Sequence, residues 1–225
     1  MKDNPQTLFA RLKAAAPEEW SAFARHDFLR RLGDGRLGEE AFRRYLGQDY
    51  LFLVQLSRAY GLAVFKSDNL DDLRQAAAGM AAILDEMGLH LKYCHDWGLT
   101  AEEMGQMAET GATTAYTRYV LERGVAGDLL DLHVTLAPCV IGFSEIAVWM
   151  KAEYAETLDD NPYRAWVDLY AGADYRRIAD AQLAQLDHLL ALRGGPGRFP
   201  ALQEQFGRAV RLMTAFWDAG LALNR

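Results

Sequence analysis

The sequence predicts an all-α protein: a single-domain helical bundle with a central pocket, spanning residues 1–225. Two observations lead to this fold class. Apolar residues recur at three- and four-residue steps along most of the chain, which is the period of amphipathic helices. No run of strand length alternates apolar with polar residues, and the sequence has no glycine-rich phosphate-binding motif. Long helices with inward aromatic side chains usually enclose a ligand site.

Composition excludes several function classes. The chain is 51% hydrophobic and 24% charged, which is ordinary for one globular domain. Its net charge of -7 argues against nucleic-acid binding, because such surfaces cluster Lys and Arg. The N-terminus lacks the apolar segment of a secretory signal, and no uninterrupted apolar run reaches the about 18 residues that a membrane span needs. We therefore expect a cytoplasmic protein that binds neither nucleic acid nor membrane.

The N-terminal part predicts two helices, over residues 5–16 and 17–32. Each has a proline near its start, where the missing N–H costs nothing. The glycines within residues 33–35 end the second helix. His26 lies in that helix, and we interpret it as a structural or exposed side chain rather than an iron ligand.

Residues 39–66 predict a long amphipathic helix, and Asp49 lies on its apolar stripe. A carboxylate among apolar side chains loses hydration unless it meets a donor, a cation or a ligand. A hydrogen bond to a neighbouring helix and a ligand-binding role both meet this requirement. Because buried acids mark candidate sites, Asp49 is a candidate binding residue.

A helix over residues 73–97 follows a capping turn at residues 68–71. Within it Glu86 and His90 are four residues apart, so both could face a metal ion from one side of the helix. No second pair of this kind accompanies them, and local hydrogen bonds are the favoured interpretation. Residues 100–103 resemble a capping box that begins a short helix.

The stretch of residues 112–155 predicts two helices with a break at Gly124 and Gly127. The apolar stripe of its second half contains Leu132, Leu136, Cys139, Phe143, Ile146 and Met150. Taken alone, Cys139 is most simply a small buried hydrophobic residue. Neither it nor Cys94 belongs to a zinc motif, so we expect reduced thiols, no metal and no cofactor.

Three more helices are predicted: one from Pro162, one after Gly172 to about residue 193, and one after the loop of residues 194–200. The inner stripe of the last helix contains Leu202, Phe206, Val210, Met213, Phe216 and Trp217.

Several short motifs occur in a fixed order along the chain. They are an IGDG-like turn, here LGDG, at 32–35, a YLxQDYxxL helix at 45–53, AYT at 115–117, LAPC at 136–139, PYxxW at 162–166 and FWD at 216–218. In that order they resemble the TenA/thiaminase II family, whose fold is all-helical and related to haem oxygenase. The resemblance implies a homotetramer that hydrolyses thiamin or its breakdown products, typically an aminomethyl-aminopyrimidine.

The resemblance also implies roles for four residues. Cys139 matches the family nucleophile, Asp49 the acid that holds the pyrimidine, Tyr116 the hydroxyl beside the thiol, and Tyr170 an aromatic residue of the pocket. These types suit the chemistry, because thiolate addition to the ring makes the substituent on the exocyclic methylene a better leaving group. The ring accepts a thiolate only if a ring nitrogen is protonated or strongly hydrogen-bonded, which Asp49 could provide.

Three positions depart from the family pattern. Met213 stands where the family commonly has a glutamate, and Phe52 and Phe143 stand where hydrolytic members often have tyrosines. The pocket should therefore be drier and lack one proton donor. A hydrolase, a pyrimidine-binding or regulatory protein that has lost turnover, and a metal-dependent oxidase of the same fold remain as alternatives. The oxidase would need several Glu and His ligands on facing helices.

Overall fold

The computed structural model describes residues 6–222, and all regular secondary structure in that range is helical. The helices are α1 (Leu8–Ala15), α2 (Pro17–Ala24), α3 (Asp27–Gly33), α4 (Glu39–Phe65), α5 (Leu70–Asp96), α6 (Ala101–Gln106), α7 (Gly111–Ala126), α8 (Leu129–Glu153), α9 (Arg164–Ala171), α10 (Ala173–Arg193) and α11 (Arg198–Leu221). A short 3₁₀ helix, Leu158–Asp160, precedes α9. The predicted all-α class is confirmed.

The chain divides into two compact units. Within the described residues, unit 1 contains 6–37 and 133–217, and unit 2 contains 38–132 and 218–222. Two of the three boundaries fall inside α8 and α11, where hydrophobic periodicity gave no signal for them, and the third lies between α3 and α4. The single domain over residues 1–225 stays a prediction.

In unit 1, α1 packs against α2 and α10, and α9 packs against α10 and the 3₁₀ helix. Stacked aromatic rings form part of its core: the ring of Trp217 lies 5.3 Å from that of Phe28 and 6.2 Å from that of Phe23. The turn before α9 is fixed by Asn161, whose side-chain amide donates to the Leu32 and Gly33 carbonyls at 3.0 and 2.8 Å.

In unit 2, α4 packs against α5, α6 and α7. Gln48 on α4 anchors the start of α7. Its Oε1 accepts from the backbone N–H of Thr110 at 2.8 Å and from the Thr113 hydroxyl at 2.7 Å, and its Nε2 donates to the Ala108 carbonyl at 3.0 Å. These bonds satisfy donors at a helix N-terminus that would otherwise lack partners.

The predicted helix over residues 17–32 is wrong in one respect, because the structure has two helices there. His26 adopts an extended conformation, and its Nδ1 accepts from the backbone N–H of Phe28 at 3.2 Å as the N-cap of α3. The structural interpretation of His26 is therefore confirmed. Gly35, with φ of +77°, then provides the left-handed residue that turns the chain after α3.

Other helix boundaries shift by a few residues. α5 begins at Leu70 rather than residue 73, because Asn69 Oδ1 accepts from the N–H groups of Asp71 and Asp72. The capping box at Thr100 is confirmed. α11 begins at Arg198 and so includes the last three residues of the predicted loop, since a proline is tolerated in the first turn. The predicted start of the first helix at Pro5 lies outside the described residues.

α8 is long and apolar enough, by length and composition, to cross a membrane. Of its most apolar window, 83% of the residues are buried inside the protein. Such burial is what a core helix shows, and length and composition alone are weak support for a membrane span.

Candidate functional site

Cys139 lies near the middle of α8 in unit 1. Its residue is 3% exposed, and its thiol donates to the Leu136 carbonyl at 3.2 Å. The inward position predicted for the thiol is confirmed, although burial is not limited to one stripe, because every residue of α8 from 129 to 144 is buried. Neither Cys139 nor Cys94 forms a disulfide bond.

Aromatic rings gather one turn after the thiol. The ring centroid of Phe143 lies 5.1 Å from that of Tyr170 and 5.3 Å from that of Trp217. Tyr170 in turn lies 4.7 Å from Trp166. The structure thus brings together two residues, Phe143 and Tyr170, that the sequence proposed as parts of a binding site. Their edge-to-face and tilted contacts hold the rings in defined positions.

Met213 lies on the buried face of α11 and is fully buried. Val210 and Trp217 flank it at one-turn spacing and are also fully buried. The inward direction expected for this position is therefore confirmed. A thioether at this place supplies volume but no exchangeable proton.

Asp49 lies on α4 in unit 2 and is 2% exposed. Burial raises the pKa of its carboxyl group to about 7, and a hydrogen bond with the Tyr45 side chain acts in the opposite direction. Among the described residues, Asp49 Oδ2 is buried without a hydrogen-bond partner. An acid with a pKa near neutrality can exchange a proton at physiological pH.

The local sequence pattern did not identify one titratable neighbour of Asp49. His90 on α5 places Nδ1 3.5 Å from Asp49 Oδ2, and its Nε2 lies 3.0 Å from the Leu46 carbonyl. Burial lowers the pKa of His90. Cys94, one turn further along α5, has its pKa raised to about 12 by burial and by the charge of Asp49. α4 and α5 together therefore surround Asp49 with groups that exchange protons.

Glu86 and His90, which could have faced a metal ion together, do not form such a site. Within residues 6–222, no group of three or more His, Cys, Asp and Glu side chains could hold a metal ion. His90 instead bonds to the backbone of α4. The preference for hydrogen bonding is confirmed for His90, although its partner lies on another helix rather than nearby in sequence.

Phe52 and Tyr116, the remaining predicted site residues, lie in unit 2. Their rings stack with centroids 5.2 Å apart and an interplanar angle of 12°. Both are buried, and Tyr116 is fully so. The packing of α7 on α4, with Gln48 as its anchor, positions this pair.

A buried thiol, an acid with a pKa near neutrality and clustered aromatic rings are the side chains of a ligand-binding or hydrolytic helical protein. Sequence comparison identifies the group within that class. The family model for TENA/THI-4/PQQC matches residues 14–222, and the chain belongs to this family.

Individual relatives agree with this assignment. An uncharacterised protein of Haemophilus influenzae is 34% identical over 96% of this chain and 100% of its own length. The aminopyrimidine aminohydrolase of Halalkalibacterium halodurans is 32% identical over 93% of each chain. The crystal structure of a TenA family transcription regulator from Silicibacter sp. TM1040 is 38% identical, covers 99% of this chain and 100% of its own, and superposes with a TM-score of 0.93. The predicted TenA-like fold is confirmed.

Proposed function

We propose that this protein is an aminopyrimidine aminohydrolase of the thiaminase II type, which acts in thiamin salvage with Cys139 as its nucleophile. The observation that carries the proposal is the state of Asp49: a fully desolvated acid whose pKa is raised to about 7. Such an acid can protonate a ring nitrogen and then accept from the exocyclic amine of an aminopyrimidine. The named relative of Halalkalibacterium halodurans supports the same substrate class.

The reaction follows from the residue types. Asp49 gives its proton to a ring nitrogen, which makes the ring electrophilic. The Cys139 thiol loses its proton as its sulfur adds to a ring carbon, and the amine on the exocyclic methylene takes up that proton and leaves with the bonding electrons. Water then adds to the methylene carbon and releases a proton. The thiolate is expelled and takes up this proton as the aromatic ring re-forms, and the ring nitrogen returns its proton to Asp49. The products are the hydroxymethyl pyrimidine and an amine.

Because Met213 replaces a proton donor, the proposed reaction should be slow or should use a different substrate. A leaving amine needs a proton, and general acid–base help is typically worth about 10²–10⁴-fold in rate. The buried thioether of Met213 cannot provide it. We therefore propose weak turnover, or a substrate whose leaving group needs less assistance.

The direct test is to incubate the purified protein with thiamin, its base-degraded aminomethyl analogue and the formylamino analogue, and to follow products by chromatography. We expect the hydroxymethyl pyrimidine to appear from the aminomethyl analogue, and Cys139→Ser to abolish it. If none of the three compounds is converted by protein that binds a pyrimidine, the hydrolase proposal is wrong.

A second candidate is a pyrimidine-binding or regulatory protein without turnover. Met213 favours it, and the Silicibacter relative is described as a transcription regulator. The net charge of -7 would make any regulatory action indirect rather than through DNA contact. Binding of the hydroxymethyl pyrimidine with no conversion of any substrate would decide for this candidate.

We also propose a cytoplasmic homotetramer, as the family resemblance implies. Large apolar side chains of unit 2 exposed to solvent support self-association: Phe65 is 83% exposed, Val125 65% and Leu70 58%. Light scattering on the purified protein tests the assembly, and a monomer at micromolar concentration would refute it.

A further inference from the structure

α4 and α5 hold a buried Asp–His pair whose tautomer follows from one hydrogen bond. His90 Nε2 lies 3.0 Å from the Leu46 carbonyl oxygen. Because a carbonyl oxygen can only accept, Nε2 must carry a proton. In the neutral imidazole Nδ1 is then a bare acceptor, and it lies 3.5 Å from Asp49 Oδ2. Oδ2 has no hydrogen-bond partner among the described residues, so His90 and a bound ligand are the groups available to it.

The number of protons on this pair follows from charge. Without an added proton, a carboxylate faces the lone pair of Nδ1 and a net negative charge is buried. With two protons, a net positive charge is buried. One proton makes the pair neutral whether it rests on oxygen or nitrogen, and burial of uncompensated charge is costly. Burial raises the pKa of Asp49 and lowers the pKa of His90, so both effects place the proton on Asp49 Oδ2.

Two groups beside the pair, Tyr45 and Cys94, supply no extra charge. Tyr45, one turn before Asp49 on α4, hydrogen-bonds to the carboxyl group as a neutral phenol. Cys94, with its pKa raised to about 12, stays a neutral thiol. The remaining buried titratable side chains on α4, α5 and α7 are Tyr60, Asp72, Glu86 and Tyr116, and the described residues of α6 add none.

We propose that Asp49 and His90 hold one proton jointly, and that His90 is the residue that positions this proton for transfer to a pyrimidine ring nitrogen. The inference rests on the proposed function for its ligand. The proton passes from Asp49 Oδ2 to the ring nitrogen. The carboxylate left behind is balanced by the protonated ring, and His90 remains neutral with its N–H on Leu46. When the ligand leaves, the proton returns to Asp49.

The proton state can be measured without any ligand. In protein labelled with ¹⁵N-histidine, we expect the two His90 ring nitrogens to report an Nε2–H tautomer whose Nδ1 accepts a hydrogen bond. The His90 ring should not gain a proton between about pH 8 and about pH 6, where an ordinary histidine does so. A His90 ring that becomes doubly protonated in this range, or an Nδ1–H tautomer, would overturn the proposal, whatever the protein hydrolyses.

Ligand binding tests the positioning role. In His90→Gln the side-chain amide can still donate to the Leu46 carbonyl, but the acceptor facing Asp49 is lost. Without an acceptor for its proton, the pKa of Asp49 should fall below the parent's value of about 7, and the ionised form cannot donate to a ring nitrogen. We expect the ratio of dissociation constants for the hydroxymethyl pyrimidine, variant over parent, to rise between about pH 5 and about pH 7, by about tenfold for each unit by which this pKa falls. Because both proteins bind the same ligand, the ratio cancels the effect of the ligand's own protonation on affinity.

The matched control is His133→Gln, which removes another buried histidine, one hydrogen-bonded to Gln182. Its ratio should not change with pH. Parallel pH profiles for His90→Gln and the parent would show that His90 does not position the proton. If the parent binds no pyrimidine, the proposed function fails while the ¹⁵N measurement still decides the proton state. That measurement also decides it if His90→Gln does not fold.

Discussion

The thiol of unit 1 and the carboxyl of unit 2 are both buried, but their surroundings differ. Cys139 donates to a carbonyl of its own helix, and the rings one turn away, beginning with Phe143, are apolar. Asp49 meets polar groups from two helices, Tyr45 and His90. A neutral thiol loses little on burial, whereas a buried carboxyl needs partners for its proton. Mutations near the thiol should therefore act mainly through packing, whereas the properties of the acid should change with pH.

The largest expected effect comes from removing the nucleophile. Cys139→Ser keeps the volume of the side chain but replaces a thiol with a hydroxyl that is far harder to ionise. We expect turnover to fall by about 10³-fold or more while pyrimidine affinity stays nearly constant. Ser144→Ala, which removes a buried hydroxyl from the same helix, should leave both unchanged. A Cys139→Ser protein that turns over at the parental rate would exclude covalent catalysis.

Asp49→Asn tests the acid in the same way. The amide cannot give its proton to a ring nitrogen, so charge-assisted bonds worth about 1.5–3 kcal/mol are lost, which corresponds to about 10- to 150-fold weaker binding. Calorimetric titration with the hydroxymethyl pyrimidine measures this change. Asp72→Asn is the matched control, because Asp72 is equally buried but hydrogen-bonds to Asn69. Equal affinity for Asp49→Asn and the parent would remove Asp49 from the site.

Met213→Glu should add to unit 1 a side chain that can donate a proton to the leaving amine. A buried glutamate has its pKa raised towards neutrality, the range that suits protonation of a leaving amine. We expect at least about tenfold faster hydrolysis, with a cost of about 1–3 kcal/mol in stability if the new carboxyl lacks a partner. Val210→Glu, one turn away on the same buried face, should show the cost without the gain. A folded Met213→Glu protein that binds pyrimidine but gains no rate would favour the binding-protein alternative.

The smallest effect is a pH-dependent difference in stability. The carboxyl of Asp49 has a pKa raised from 3.8 to about 7, so the folded state holds a proton that the unfolded chain has released. Stability of the parent, relative to Asp49→Asn, must therefore fall as pH rises through this window. Between about pH 5 and about pH 8 we expect the melting temperature of the parent to drop relative to the variant by at least about 2–4 °C. Parallel melting curves would contradict the raised pKa.

Much of the fold and of the candidate site could be predicted from the sequence, because helical periodicity indicates which side chains face inward. Asp49, Cys139, Phe143 and Met213 were each placed inside on that basis, and each is buried. The break before α3 was missed because a histidine cap does not interrupt the apolar pattern. The contact between His90 and Asp49 was missed because Asp49 lies 41 residues earlier in the chain, and local spacing says nothing about contacts between helices.

The hydrogen bonds of Asn161 bear on the order in which the chain folds during its synthesis. Its side chain bonds to carbonyls at the end of α3, 128 and 129 residues earlier in the chain. Unit 1 joins residues 6–37 to 133–217, whereas unit 2 is continuous from 38 to 132 except for its last few residues. During synthesis the ribosome delivers the segments in chain order, and distant contacts wait for their partners. The contacts that the N-terminal helices make with residues 133–217 can therefore form only after most of the protein has emerged.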